Sequence, residues 1–138
     1  MNERDNLMFE FWTRFNSAHN ALLRAQFKHI QKSNLTVPQF HVMLVTYFNG
    51  PTSLKKISEL LSVTNANITC VVHNLIKIGA LKTETSRIDR RIVNADLTPK
   101  GKELVENILP DFNLAFKNVL SKLDDKEKEQ LNSILIKI

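Results

Sequence analysis

SLKKISELLSVTNANITCVVHNLIKIGAL, residues 53–81, reads as two helices joined by a tight turn. Ser53 can cap the first helix through its hydroxyl, and Ile57, Leu60 and Leu61 then share one face. Val63 closes the turn and Thr64 can cap the second helix. On that helix Ile68, Val71, Val72, Leu75 and Ile76 recur three and four apart, which makes one buried stripe. Gly79 supplies the left-handed conformation of a helix stop. The opposite face carries Asn65, Asn67, Thr69, Cys70, His73 and Lys77, which are polar or small and free of carboxylates. A short helix with such a face suits the DNA major groove. A plain helical hairpin with a solvated polar face fits the same residues, so the flanking sequence has to decide.

Downstream the pattern changes. Leu81 to Thr85 and Ile92 to Leu97 are short, richer in β-branched residues, and predict a hairpin. Between them lies Ser86-Arg87-Ile88-Asp89-Arg90-Arg91. A solvated turn has no need of three arginines within five residues; a loop entering a narrow, electronegative minor groove does. Thr98-Pro99 then starts a helix, with Leu104, Ile108, Phe112, Ala115 or Phe116, and Val119 as its stripe to about Leu120. Pro110 is expected to kink or break it. Asp124, with Glu127 three residues on, starts a last helix whose face is Leu131, Ile134, Leu135 and Ile138.

Upstream, residues 5 to about 32 predict a long helix. Leu7, Phe11, Trp12, Phe15, Ala18, Leu22, Ala25 and Ile30 mark its stripe, and Met8, Phe9, Leu23 and Phe27 widen that stripe beyond one core contact. That width points to a subunit interface. Asn34 can end the helix. Thr36 and Gln39 form a capping box with Pro38 in the first turn, and Phe40, Met43, Leu44 and Tyr47 are the buried face of the next helix, stopped by Asn49-Gly50-Pro51.

The chain has 138 residues, 43% of them hydrophobic and 24% charged, which bounds it to one globular domain with a modest core. No apolar run is long enough for a membrane span, and the acidic start MNERDNLMF lacks a signal peptide's apolar core; the expected location is cytoplasmic. One cysteine excludes an internal disulfide framework and a cysteine-rich zinc site. Net charge is +5, and between Phe11 and Thr83 a single acid, Glu59, stands against eight bases. That distribution suits a polyanionic partner. No G-x-S-x-G, H-E-x-x-H or phosphate-loop pattern is present, so no enzymatic activity is expected. Asp124, Asp125 and Glu127 are better read as helix-start residues than as a catalytic carboxylate pair.

The order of elements, and several motifs within it, resemble the MarR family of bacterial transcription regulators over nearly the whole chain. Leu35-Thr36 with Gln39-Phe40 looks like the start of that family's second helix. Val63-Thr64, Ile68-Thr69, Leu75 and Gly79 fall on its turn and recognition helix. Asp89-Arg90-Arg91, followed by Leu97-Thr98 and Gly101, matches its wing signature. The resemblance implies a mainly α (α+β) fold in one domain, 1–138. A winged helix-turn-helix would occupy about 36–98, with dimerisation helices at about 5–33 and 99–138. It further implies a homodimer on a palindromic operator in double-stranded DNA, usually a repressor released by a small-molecule effector, with Arg91 in the minor groove and Asp89 either holding that arginine or bracing the wing. Ser62 stands where the family often has glycine, Cys70 where it often has arginine or lysine, and Ala80 where it usually has a bulkier residue.

For the major groove the candidates are Thr64, Asn65, Asn67, Thr69, Cys70 and His73; for the wing, Arg87, Asp89, Arg90 and Arg91. Lys55, Lys56, Lys77 and Lys82 are the phosphate candidates. With no arginine on the recognition helix, an A·T-rich operator is expected. Trp12, Phe15, His19, Phe40, Met43 and Tyr47 are the candidates for an effector crevice, although such stripes are more often plain core. No cofactor or metal is expected: sites need clustered ligands, and no histidine follows His73. Cys70 lies six residues past a helix cap without an arginine neighbour, which gives little reason for a reactive thiol. The alternatives are a metal- or redox-responsive regulator, or a winged helix used only to bind protein.

Overall fold

The computed structural model describes residues 2–138. Helix α1 spans Glu3–Gln31 and α2 Val37–Asn49; a short strand, β1, covers Thr52–Ser53. Helices α3 (Leu54–Leu61) and α4 (Asn65–Lys77) precede β2 (Leu81–Thr85) and β3 (Val93–Leu97), and α5 (Pro99–Val119) and α6 (Asp125–Leu135) complete the chain. The fold is mainly helical, with one small antiparallel sheet of order β1-β3-β2.

The helix starts are set by local side chains. Thr36 and Gln39 form the reciprocal capping box at α2, and Asp124 with Glu127 does the same at α6. Ser53 and Thr64 cap α3 and α4 through hydroxyls that accept the amides of Lys56 and Asn67. Asn34 and Ser62 take left-handed conformations at φ 57° and 53°, where the chain leaves α1 and α3.

Two compact units emerge. One runs from Ile30 to Pro110; the other combines the chain up to His29 with Asp111–Ile138. The first holds every buried apolar side chain among the described residues, including Ile30, Phe40, Met43, Ile57, Leu75, Ala95, Val105 and Ile108. Helix α2 is its centre, and Val42 and Thr46 are buried there as well as the expected Phe40 and Met43. Leu44 and Tyr47, expected in the same face, are only half-buried. Likewise Leu60 and Ile76 are exposed on α3 and α4, so each buried stripe is narrower than its sequence pattern.

Two further differences have local causes. Strand β1 is absent from the sequence reading: two residues are too short for alternation to register, and Ser53 serves both as strand and as helix cap. Thr52 pairs with Ala95 and Ser53 with Asn94. Pro110 does not break α5, which continues to Val119. Pro110 and Glu106 are both exposed, so water can serve the Glu106 carbonyl that loses its helical partner.

A candidate nucleic-acid interface in the winged-helix unit

Helix α4 is held by its apolar side and presents its polar one. Ile68, Val72 and Leu75 are buried, while Asn65, Asn67, Thr69, Cys70, His73 and Lys77 are exposed. The turn into it is fixed by the Val63 amide donating to the Ser58 carbonyl at 3.1 Å. Thr64 is committed to its cap, its hydroxyl oxygen accepting from the Asn67 amide at 3.2 Å. Asn65 is braced against α3, with Oδ1 2.7 Å from the hydroxyl of buried Ser58. One end of the Asn65 carboxamide is therefore already engaged. Thr69 donates its hydroxyl to the Asn65 carbonyl at 2.8 Å, which leaves its methyl and its lone pairs at the surface. Asn67 and His73 use no side-chain atom in hydrogen bonds among the described residues.

The end of α4 is locked to the start of α5. Gly79 takes φ 77°, and the Thr98 hydroxyl donates to its carbonyl. The Thr98 amide donates to the Ala80 carbonyl at 3.1 Å, and the Gly101 amide returns to the Thr98 oxygen at 3.1 Å. Gly101 is required by space: an added Cβ would lie 2.0 Å from the Ala80 carbonyl oxygen. Lys100 adds a bond from Nζ to the Ile78 carbonyl at 2.7 Å, serving a helix-end acceptor. The Leu97-Thr98-x-x-Gly101 motif is thus the clamp that fixes the recognition helix relative to the strand behind it. The sequence shows the motif; the clamp needs contacts between residues about twenty apart.

Strands β2 and β3 pair from Leu81↔Leu97 to Thr85↔Val93, which sends residues 86–92 out as a tip. The tip is closed by the Ser86 amide on the Ile92 carbonyl (2.8 Å) and the Ile92 amide on the Asp89 carbonyl (3.0 Å). Asp89 grips Arg91 three ways, accepting from its backbone amide at 3.0 Å and from Nε and Nη2 at 3.1 Å each. The Arg91 side-chain fork, and then its amide, hold the Asp89 carboxyl below its ordinary range. As an exposed ion pair this adds little stability, but a two-pronged carboxylate grip fixes the direction of a guanidinium. Arg91 stays 90% exposed while so held. Arg87 and Arg90 are exposed beside it, and so are Lys55, Lys56, Lys77 and Lys82 on α3, α4 and β2.

Of the crevice candidates, Phe40 and Met43 have no accessible surface and are core of the winged-helix unit. Tyr47 is half-buried and bonds Glu106 at 3.4 Å. Trp12, Phe15 and His19 belong to the terminal-helix unit and are exposed. A cavity of about 280 Å³ whose lining includes none of these six candidates lies beside α4, bordered by Pro38, His41, Leu61, Asn67, Cys70 and Val71. Burial keeps His41 below its ordinary pKa, so its ring is neutral at neutral pH. Among the described residues no group of three or more His, Cys, Asp or Glu side chains is placed to hold a metal, and no helix is long and apolar enough to cross a membrane.

A capped recognition helix, a clamped helix end and a basic two-stranded tip define a winged helix-turn-helix. The MarR family profile matches residues 35–93. The regulator MhqR of Bacillus subtilis is 31% identical over 111 residues, covering 80% of this chain and 77% of that protein. The chain belongs to the MarR family of transcription regulators. Solved structures agree on the fold. A mutant of MarR from E. coli, complexed with operator DNA, superposes with a TM-score of 0.82 at 18% identity, covering 99% of this chain and 98% of that one. BpsR of Bordetella bronchiseptica, whose DNA binding is described as regulated by 6-hydroxynicotinic acid, gives 0.80 at 24% identity and covers 93% and 97%.

Proposed function

We propose that this protein is a homodimeric repressor of a palindromic, A·T-rich operator, released by a small-molecule effector. The observation that carries the DNA contact is the wing tip, where Asp89 holds Arg91 by a two-pronged grip and leaves it exposed, in the same unit as the carboxylate-free face of α4. Arg91 enters the minor groove while α4 lies in the adjoining major groove. Asn67 is the better asparagine for bidentate pairing with adenine, because Asn65 has one end of its amide occupied by Ser58. Thr69 offers its methyl to thymine, and His73 reaches a base edge or phosphate. Lys55, Lys56, Lys77, Lys82, Arg87 and Arg90 take the phosphates.

Dimerisation is supported by the terminal helices, which leave Leu7, Met8, Phe9, Phe11, Trp12 and Phe15 exposed on α1 and Ile134, Leu135, Ile136 and Ile138 at the other end. Patches of that extent mark an interface. Effector release is supported by the cavity beside α4, which has room for one substituted aromatic ring. Asn67 and Cys70 border both that cavity and the DNA face, so occupancy and operator binding compete.

Fluorescence anisotropy with the DNA upstream of the protein's own gene tests the reading. Between about 50 and about 200 mM salt the affinity should fall by roughly a thousandfold, as counterions return to the phosphates. Weak binding that ignores salt would favour a winged helix that recognises protein instead.

A further inference from the structure

Ile88 is 100% exposed at the tip of the wing, and no other large apolar side chain among the described residues is as bare. Its placement is not slack in a loose loop. The Ile88 and Asp89 amides both donate to the Ser86 hydroxyl oxygen at 3.3 Å, inside a turn already closed by the Ser86–Ile92 pair. A β-branched aliphatic residue is also a poor choice for a tight turn, where glycine, asparagine, aspartate and serine serve better. In the chain it stands between Arg87 and the Asp89-Arg90-Arg91 run, so whatever covers the tip must suit an apolar side chain and accept the positive charge of the flanking arginines.

The DNA minor groove meets both requirements. Its rims are phosphates, and its walls are the apolar faces of deoxyribose. Its floor differs by base pair: A·T presents only acceptors, whereas G·C places the guanine 2-amino group in the middle. An aliphatic side chain over that amino group would strip its water and offer no acceptor in return, which is costly. We infer that Ile88 is a specificity-determining residue of the wing, packing between the sugar walls of the minor groove and rejecting G·C pairs beneath the tip. The inference rests on the DNA-binding reading above and adds, to the groove-width preference of the arginines, a direct rejection of the guanine amino group.

The test uses a duplex recovered by the wild-type chain from a random pool, with single G·C pairs scanned across its flanks. Under the tip, G·C should weaken wild-type binding about tenfold. Replacing that guanine with inosine, which lacks the 2-amino group, should restore it. Ile88→Ala should bind the parent duplex about tenfold more weakly, because apolar burial is lost, with its salt slope unchanged. In that variant the G·C penalty should shrink to about twofold or less. Arg91→Ala should keep the G·C penalty and lower the salt slope by about one unit per subunit. Ile88→Leu should behave as wild type. An Ile88→Ala protein that binds normally and still rejects G·C, or inosine acting like guanine, overturns the inference. Failure of the wild-type chain to select any duplex sinks the DNA-binding reading instead.

Discussion

The winged-helix unit seals Phe40, Met43, Ile57 and Leu75 completely, while the terminal helices hold Trp12 60% exposed and Ile136 78% exposed. In the terminal unit Phe11 and Phe15 stack on each other at 5.8 Å, and Phe9 lies 6.1 Å from Trp12, all on one exposed helix. The only buried side chain described there is Gln26, a polar one. One unit has a core and should fold on its own terms; the other keeps its large apolar side chains at the surface among the described residues. A chain divided in this way makes stability local: the winged-helix unit carries its own buried core, and the proposed pairing of two chains falls to the exposed apolar helices.

The largest effect is expected from charging the exposed face of α1. Phe11→Glu with Phe15→Glu should convert the protein from two chains to one in sedimentation analysis. Operator affinity should fall by about a hundredfold or more, since each half-site then binds without the effective concentration of its neighbour. The winged-helix unit should keep its own urea transition. A variant that stays paired, or one whose winged-helix unit unfolds as well, would erase the distinction between the two units.

The next effect is confined to the winged-helix unit. Gly101→Ala puts a methyl group 2.0 Å from the Ala80 carbonyl oxygen and 2.9 Å from its carbon, both backbone atoms. Relief requires the clamp between α4 and α5 to open. Stability measured by urea unfolding should drop by about 3 kcal/mol, with operator binding weakened because the recognition helix loses its anchor. Gly50 has open space around its Cβ position, but its φ of 72° and ψ of −156° lie in a region that essentially only glycine occupies, so Gly50→Ala should cost about 2 kcal/mol through backbone strain alone.

What could be read beforehand follows from how local its cause is. The caps at Thr36, Ser53, Thr64 and Asp124 were legible because each lies within three residues of the amide it serves. The β2–β3 hairpin was legible from β-branched runs on either side of an arginine-rich turn. Strand β1, the burial of Val42 and Thr46, and the persistence of α5 through Pro110 were not, because each depends on partners or solvent that sequence does not display. Within the site, the wing arginines could be named, and so could the polar face of α4. The engagement of Asn65 by Ser58 and the hold of Lys100 on Ile78 could not, since both need the folded turn to bring the atoms together.

Ser62 gives the gentlest and sharpest probe. It ends α3 at φ 53° and ψ 43°, a left-handed conformation in which a Cβ crowds the following carbonyl. Its amide donates to the Glu59 carbonyl at 3.3 Å, a bond glycine keeps. Its side chain is exposed and makes no hydrogen bond among the described residues. Ser62→Gly therefore removes strain and loses no contact, offset in part by the greater freedom glycine has when unfolded. The net gain should be about 0.5–1 kcal/mol, seen in the urea transition of the winged-helix unit. The association constant of the terminal helices and the affinity for operator should stay put. Asn34→Gly, at φ 57°, should gain less, because asparagine already tolerates this region. A loss of stability in Ser62→Gly would mean that the turn between α3 and α4 is shaped by the serine itself rather than merely enduring it.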